Sequence, residues 1–159
     1  MNSIILTTAT RALVPVLVVM SFAVLLRGHN DPGGGFIGGL LAALAVALLE
    51  KAHGPAEARR WLRLDPLAIA GAGLAAAILA GFWGAVVHGA FLTGVWPFYG
   101  PGPSGSNEGV PAGSILLFDL GVYLVVVGAV SAILIALEEA GIPPERPVGA
   151  DEEDEEEDA

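Results

Sequence analysis

Four long apolar stretches constrain this chain more than any other feature. A helix that crosses about 30 Å of hydrocarbon needs roughly 20 mostly apolar residues. The first stretch runs from about Ala12 to Leu26, and back to Ile4 once Arg11 snorkels its charge toward the headgroups. The second covers Gly33 to Leu49, the third Leu67 to Val87 and the fourth Ile115 to Leu137. The second is the shortest, at about 25 Å of helix, so part of the glycine run before Phe36 is expected at membrane depth. The first stretch continues into Arg27-Gly28-His29-Asn30 with no small-x-small cleavage site, so it is expected to be a retained span. Pro15 is expected in its first turn, where a missing backbone donor costs least. The fold class that follows is an all-α membrane protein with four transmembrane helices.

Composition agrees once charge is assigned by position. Hydrophobic residues make up 54% of the 159 and charged residues 15%, against about 25% in ordinary soluble domains. The formal net charge of -10 conflicts with a mean hydropathy of +0.68 only until the eight consecutive acids from Asp151 to Asp158 are set aside. The rest is nearly neutral. Clustered Lys and Arg are absent, which excludes a nucleic-acid binder, and the lack of Cys excludes a disulfide-stapled scaffold. Residues 1–141 are thus expected to form the transmembrane domain. Residues 142–159, with Pro143, Pro144, Pro147 and the acids, form an expected disordered tail.

Orientation follows from Lys and Arg in short loops. Lys51, Arg59, Arg60 and Arg63 lie between the second and third stretches, whereas His88 to Ser114 carries neither residue type. The first of these loops is expected in the cytoplasm, together with both termini. Arg27 alone dissents. The later loop contains Trp96-Pro97-Phe98-Tyr99-Gly100-Pro101-Gly102-Pro103-Ser104-Gly105. Its aromatic residues suit the headgroup level, and its Pro/Gly alternation is expected to forbid regular structure.

Small residues recur at helical spacing: Gly39, Ala43 and Ala47; Gly73, Ala77 and Gly81; Gly128, Ala132 and Ala136. Such rows let helices approach closely in lipid. Three of them point to more helix contact than four spans need among themselves, and so to a subunit of a larger assembly.

Two literal G-x-G-x-x-G matches, Gly33-Gly35-Gly38 and Gly100-Gly102-Gly105, lack the strand and helix that a dinucleotide site requires. His29, His53 and His88 are isolated, and no nucleophile, zinc or phosphate-loop pattern occurs. The chain is not expected to be an enzyme, and no cofactor or metal is called for.

Two places carry polar chemistry. Around Arg27-Gly28-His29-Asn30-Asp31-Pro32-Gly33-Gly34-Gly35-Phe36-Ile37-Gly38-Gly39, Pro32 excludes Asp31 from helical space and the glycines free the backbone. Arg27, His29 and Asp31 make this either a polar node on an ion route or a tight hairpin that docks on a neighbour. The second place is Asp119, early in the fourth stretch. An ionisable residue inside a span is a candidate functional site, and the same residue also suits the dipole of a helix N-terminus. Glu50, Glu138 and Glu139 are expected at the membrane interface, as is His88.

The segment from Arg27 to Leu40 resembles the signature of the B subunit of Mrp-type (Mnh) multi-subunit Na⁺/H⁺ antiporters. Thr8-Ala9-Thr10-Arg11-Ala12-Leu13-Val14-Pro15 and Leu117-Phe118-Asp119-Leu120-Gly121-Val122-Tyr123-Leu124 match as well. The resemblance covers roughly Thr8 to Leu137 and leaves out the acidic tail. It implies a non-catalytic, multi-pass subunit in a bacterial plasma membrane, within a complex of six or seven different subunits. Such a complex exchanges Na⁺ for protons, driven by the proton motive force. The resemblance makes Arg27 to Leu40 and Asp119 family-typical positions, and by their own chemistry Asp119, His29, Asp31 and Arg27 are the ion-path candidates. Gly28, Asn30, Pro32, Gly33, Gly34, Gly35, Phe36, Gly38 and Gly39 become motif positions. A pure scaffold role, and the related module of membrane-bound hydrogenases, are the alternatives.

Overall fold

In the computed structural model, residues 4–28, 33–101, 107–109 and 113–141 are described. Four of the helices are long and apolar enough to cross a membrane. They are α1 (Ile4–Arg27), α2 (Gly34–His53), α4 (Pro66–His88) and α5 (Ser114–Gly141), with a short α3 (Pro55–Leu62) between the second and third. Each expected stretch is recovered, extended by a few residues at its polar ends.

α1 is one unbroken helix, which moves Pro15 from the expected first turn to the middle of the span. The reason is that the apolar run before Arg11 is already helical from Ile4. α2 begins inside the glycine run: Gly33, at φ 95°, is its left-handed cap, and Gly34 and Gly35 are already in helix. A left-handed residue is cheap only for glycine.

The helices pack in the spatial order α1, α2, α5, α4, so that α2 and α5 form the centre and α1 and α4 the edges. α1 and α2 are antiparallel, as are α4 and α5. The outer faces remain apolar and open, with Val16, Val19, Met20, Ile78, Leu79 and Val86 all exposed. This inside-out distribution fits helices whose solvent is lipid or other apolar helices.

The small-residue rows are largely used within the chain. A Cβ at Gly39 would lie 2.8 Å from Val126 of α5, and one at Gly73 would lie 2.6 Å from the Gly121 carbonyl oxygen. A Cβ at Gly128 would stand 2.5 Å from the Pro66 carbonyl of α4. These glycines therefore set the α2–α5 and α4–α5 distances, and the expectation that they call for additional partners does not follow from them.

The loop after α4 folds back on that helix. Leu92 N donates to the Gly81 carbonyl (3.2 Å), and Phe91 meets Phe82 edge-on at 5.4 Å. Val95 and Ser114 then exchange two hydrogen bonds that fix the start of α5 (2.9 and 3.0 Å). Regular structure is present where Pro/Gly alternation was expected to forbid it: Tyr99–Pro101 pairs antiparallel with Asn107–Gly109. Both strands are edges, where a proline's missing donor is tolerated. The expected acidic tail lies outside the described residues.

Candidate functional site

Two glycines of the motif, Gly28 and Gly35, lie against Asp119. At the α1–α2 crossing the backbones nearly touch, and a Cβ on Gly34 would fall 2.2 Å from Gly28 Cα. Gly35 faces α5 in the same way, with a Cβ only 2.2 Å from the Asp119 carbonyl oxygen. A Cβ on Gly28 would lie 2.9 Å from Asp119 Oδ2. The carboxylate of α5 is thus seated over the end of α1, beside the first turn of α2. Gly28, Gly34, Gly35, Gly38 and Gly39 are all buried, whereas Phe36 is 53% exposed on the outer face.

Asp119 is half-buried and six residues into α5. It lies early in the helix, and it is packed on the glycine motif. Arg27 ends α1 with an exposed side chain. His29, Asn30, Asp31 and Pro32 lie outside the described residues.

One turn further along α5, Tyr123 is 93% buried against the same crossing. Ser21 Oγ donates to the Val18 carbonyl (2.8 Å), which leaves it to accept from the Tyr123 hydroxyl (3.2 Å). The Tyr123 ring stacks on Phe22 with centroids 5.9 Å apart. A Cβ at Gly38 would contact both Ser21 O and the Tyr123 ring. Asp119, Tyr123 and Ser21 therefore line the interior of the three-helix contact from the motif toward the centre.

At the opposite end, charges tie the helices together. Lys51 of α2 pairs with Glu138 of α5. Arg59 of α3 donates to both carboxylate oxygens of Glu139 (3.0 and 3.1 Å) and lies 3.9 Å from Asp65. Beneath these pairs Val46, Ala58 and Ile135 form a buried cluster.

Glu50 lies in the last turn of α2, yet it is 97% buried, and its Oε1 has no hydrogen-bond partner among the described residues. Its position at a span end beside Lys51 hid this. The signal was the face itself, because Gly39, Ala43, Val46 and Glu50 follow one another at helical spacing and all are buried. Among the described residues no group of three His, Cys, Asp or Glu is placed to hold a metal ion.

Comparison with known proteins agrees with this architecture. A family model described as a domain related to the MnhB subunit of Na⁺/H⁺ antiporters matches residues 5–132. The B subunit of the Na⁺/H⁺ antiporter of Bacillus subtilis is 39% identical over 84% of this chain and 91% of its own length. Its counterpart in Alkalihalophilus pseudofirmus is 35% identical over 87% of this chain and 94% of its own. Among solved structures, the Mrp complex from Dietzia sp. matches with a TM-score of 0.71 at 31% identity. That match covers 90% of this chain and 15% of the much longer Dietzia chain. The chain belongs to the MnhB family, the B subunits of Mrp/Mnh-type multi-subunit Na⁺/H⁺ antiporters.

Proposed function

We propose that this chain is a non-catalytic subunit of a proton-motive-force-driven Na⁺/H⁺ antiporter complex in a bacterial plasma membrane. Its partners are the other subunits of such a complex, which contains six or seven different subunits in all. It assembles the complex and contributes polar groups to an ion or water path. The observation that carries this reading is the seating of the Asp119 carboxylate against Gly28, with the Asp119 backbone held against Gly35. A carboxylate inside a span is expensive to maintain, and here the missing side chain of Gly28 leaves room for it. The loop charges favour cytoplasmic termini, which puts Asp119 near the external face and Glu50 near the cytoplasmic one.

The test is Asp119→Asn and Asp119→Ala in the intact complex, with Na⁺-dependent proton movement measured in everted vesicles. Loss of transport at normal complex yield is expected. Unchanged transport at normal yield removes Asp119 from the path.

A scaffold role is the second reading, favoured by the close backbone contacts at Gly28, Gly34 and Gly35. It expects substitutions there to lower yield and activity together. The hydrogenase-type host is decided by neighbouring genes: Cys-rich redox subunits would support it, and antiporter-type membrane subunits would exclude it.

A further inference from the structure

Three side-chain atoms are buried without a hydrogen-bond partner among the described residues: Thr10 Oγ1, Glu50 Oε1 and Ser131 Oγ. They come from α1, α2 and α5, the three helices that also hold Asp119, but at the other end of the spans. Ser131 lies one turn before Ile135, which packs with Val46, and Glu50 lies one turn beyond Val46. The antiparallel register that sets Gly38 against Ser21 brings Thr10 to the level of Glu50. An orphaned hydroxyl is a modest cost, but an orphaned carboxylate is a large one when charged.

The charges around Glu50 do not compensate it. Lys51, Glu138 and Glu139 act on it electrostatically. Lys51 is already bound to Glu138, and Arg59 of α3 is held by both oxygens of Glu139. Asp65 approaches that same Arg59. On α2 itself His53 is exposed, and the charged described residues of α1, Arg11 and Arg27, have exposed side chains. Both nearby cations are thus committed to other carboxylates, while Glu50 is buried one turn beyond Val46 of the apolar cluster with Ala58 and Ile135.

We propose that Glu50 is a proton-binding site, a carboxyl that carries a proton within the α1–α2–α5 contact and exchanges it with the adjacent aqueous phase. The exposed Lys51–Glu138 and Arg59–Glu139 pairs lie at the same end of the bundle, and Lys51, Glu138 and Glu139 act on Glu50 electrostatically. Glu50 would then terminate, on the cytoplasmic side, the polar interior that begins at Asp119. That role for Glu50 rests on the antiporter reading and on the proposed orientation, whereas proton binding at Glu50 rests on neither.

Two measurements test it in the whole complex. In everted vesicles, Glu50→Gln at wild-type complex yield should lower Na⁺-dependent proton movement several-fold and flatten its pH dependence. Glu50→Asp should restore both in part. A Glu50→Gln complex with the wild-type rate and pH profile overturns the proposal.

The second measurement needs no transport and decides the matter if Glu50→Gln does not assemble. Dicyclohexylcarbodiimide, an apolar reagent for protonated carboxyls, is applied to wild-type membranes over a series of pH values. An adduct at Glu50 that declines as pH rises is expected. Absence of that adduct at every pH overturns the proposal, even where exchange activity is intact. A wild-type complex without Na⁺/H⁺ exchange would instead defeat the antiporter reading and leave the labelling result to judge Glu50.

Discussion

Gly35 and Asp119 meet backbone to backbone, so that the first turn of α2 rests on the carbonyl of an intramembrane acid. The contact joins the two features that sequence singles out separately. It also explains why a glycine run starts the helix. With any side chain at position 35, α2 and α5 could not both keep their places.

Gly35→Ala is therefore expected to be severe. Its Cβ would stand 2.2 Å from a backbone oxygen, an atom that no rotamer change can move. Overpacking of this kind costs about 3 kcal/mol, the upper part of the usual range. The measurement is complex yield after mild extraction, compared with Gly71→Ala. Nothing lies within 4 Å of a Cβ at Gly71 on α4, so that variant should assemble as wild type.

Tyr123 and Ser21 should behave as one unit. Tyr123→Phe keeps the ring stack on Phe22 and removes only the hydroxyl that donates to Ser21. Hydrogen bonds between membrane helices average about 0.6 kcal/mol by double-mutant cycles. Thermal unfolding of the extracted complex should show a modest loss for Tyr123→Phe and for Ser21→Ala. The double variant should be little worse than either, and full additivity would mean that the two hydroxyls are not coupled.

How much of this was legible beforehand depends on whether a feature is local. The four spans are, because each is written in its own apolar run. The meeting of Gly28 and Gly35 with Asp119 is not, since those residues lie far apart in the chain and only helix packing joins them. α3 was hidden because its eight residues mix Glu57, Arg59 and Arg60 with Ala58 and Leu62, which gives no sustained apolar run. The small-residue rows were visible but silent about their partner, and at Gly39, Gly73 and Gly128 that partner is another helix of the same chain. The burial of Glu50 was hidden for a related reason. An acid next to a lysine at a helix end looks solvated until α5 and α3 are laid over it.

The outer ion pairs should matter less than their number implies. Arg59 and Glu139 are each 44% exposed, and Lys51 is 63% exposed, so water and salt screen them. Arg59→Lys loses the two-pronged geometry that only a guanidinium supplies. Its expected effect is a small fall in the thermal midpoint of the extracted complex that disappears at high salt. A large fall that persists in high salt would show that Arg59 holds α3 on α5 by more than exposed charge.

Asp65 is the residue whose replacement isolates a single local interaction. It caps α4, with Oδ1 accepting from Leu67 N at 2.9 Å and from Ala68 N at 3.2 Å, and Pro66 follows it in the first turn. Two of the otherwise unsatisfied donors of that helix end are thereby paired. Asp65→Ala removes both bonds and should cost about 1 kcal/mol, whereas Asp65→Asn and Asp65→Ser can still cap and should stay close to wild type. Asp65 also lies 3.9 Å from Arg59, so a charge effect has to be separated from a capping effect. The three variants do this in thermal unfolding of the extracted complex. Capping predicts that Asn and Ser rescue what Ala loses, while an ion-pair role predicts that all three neutral residues fall together.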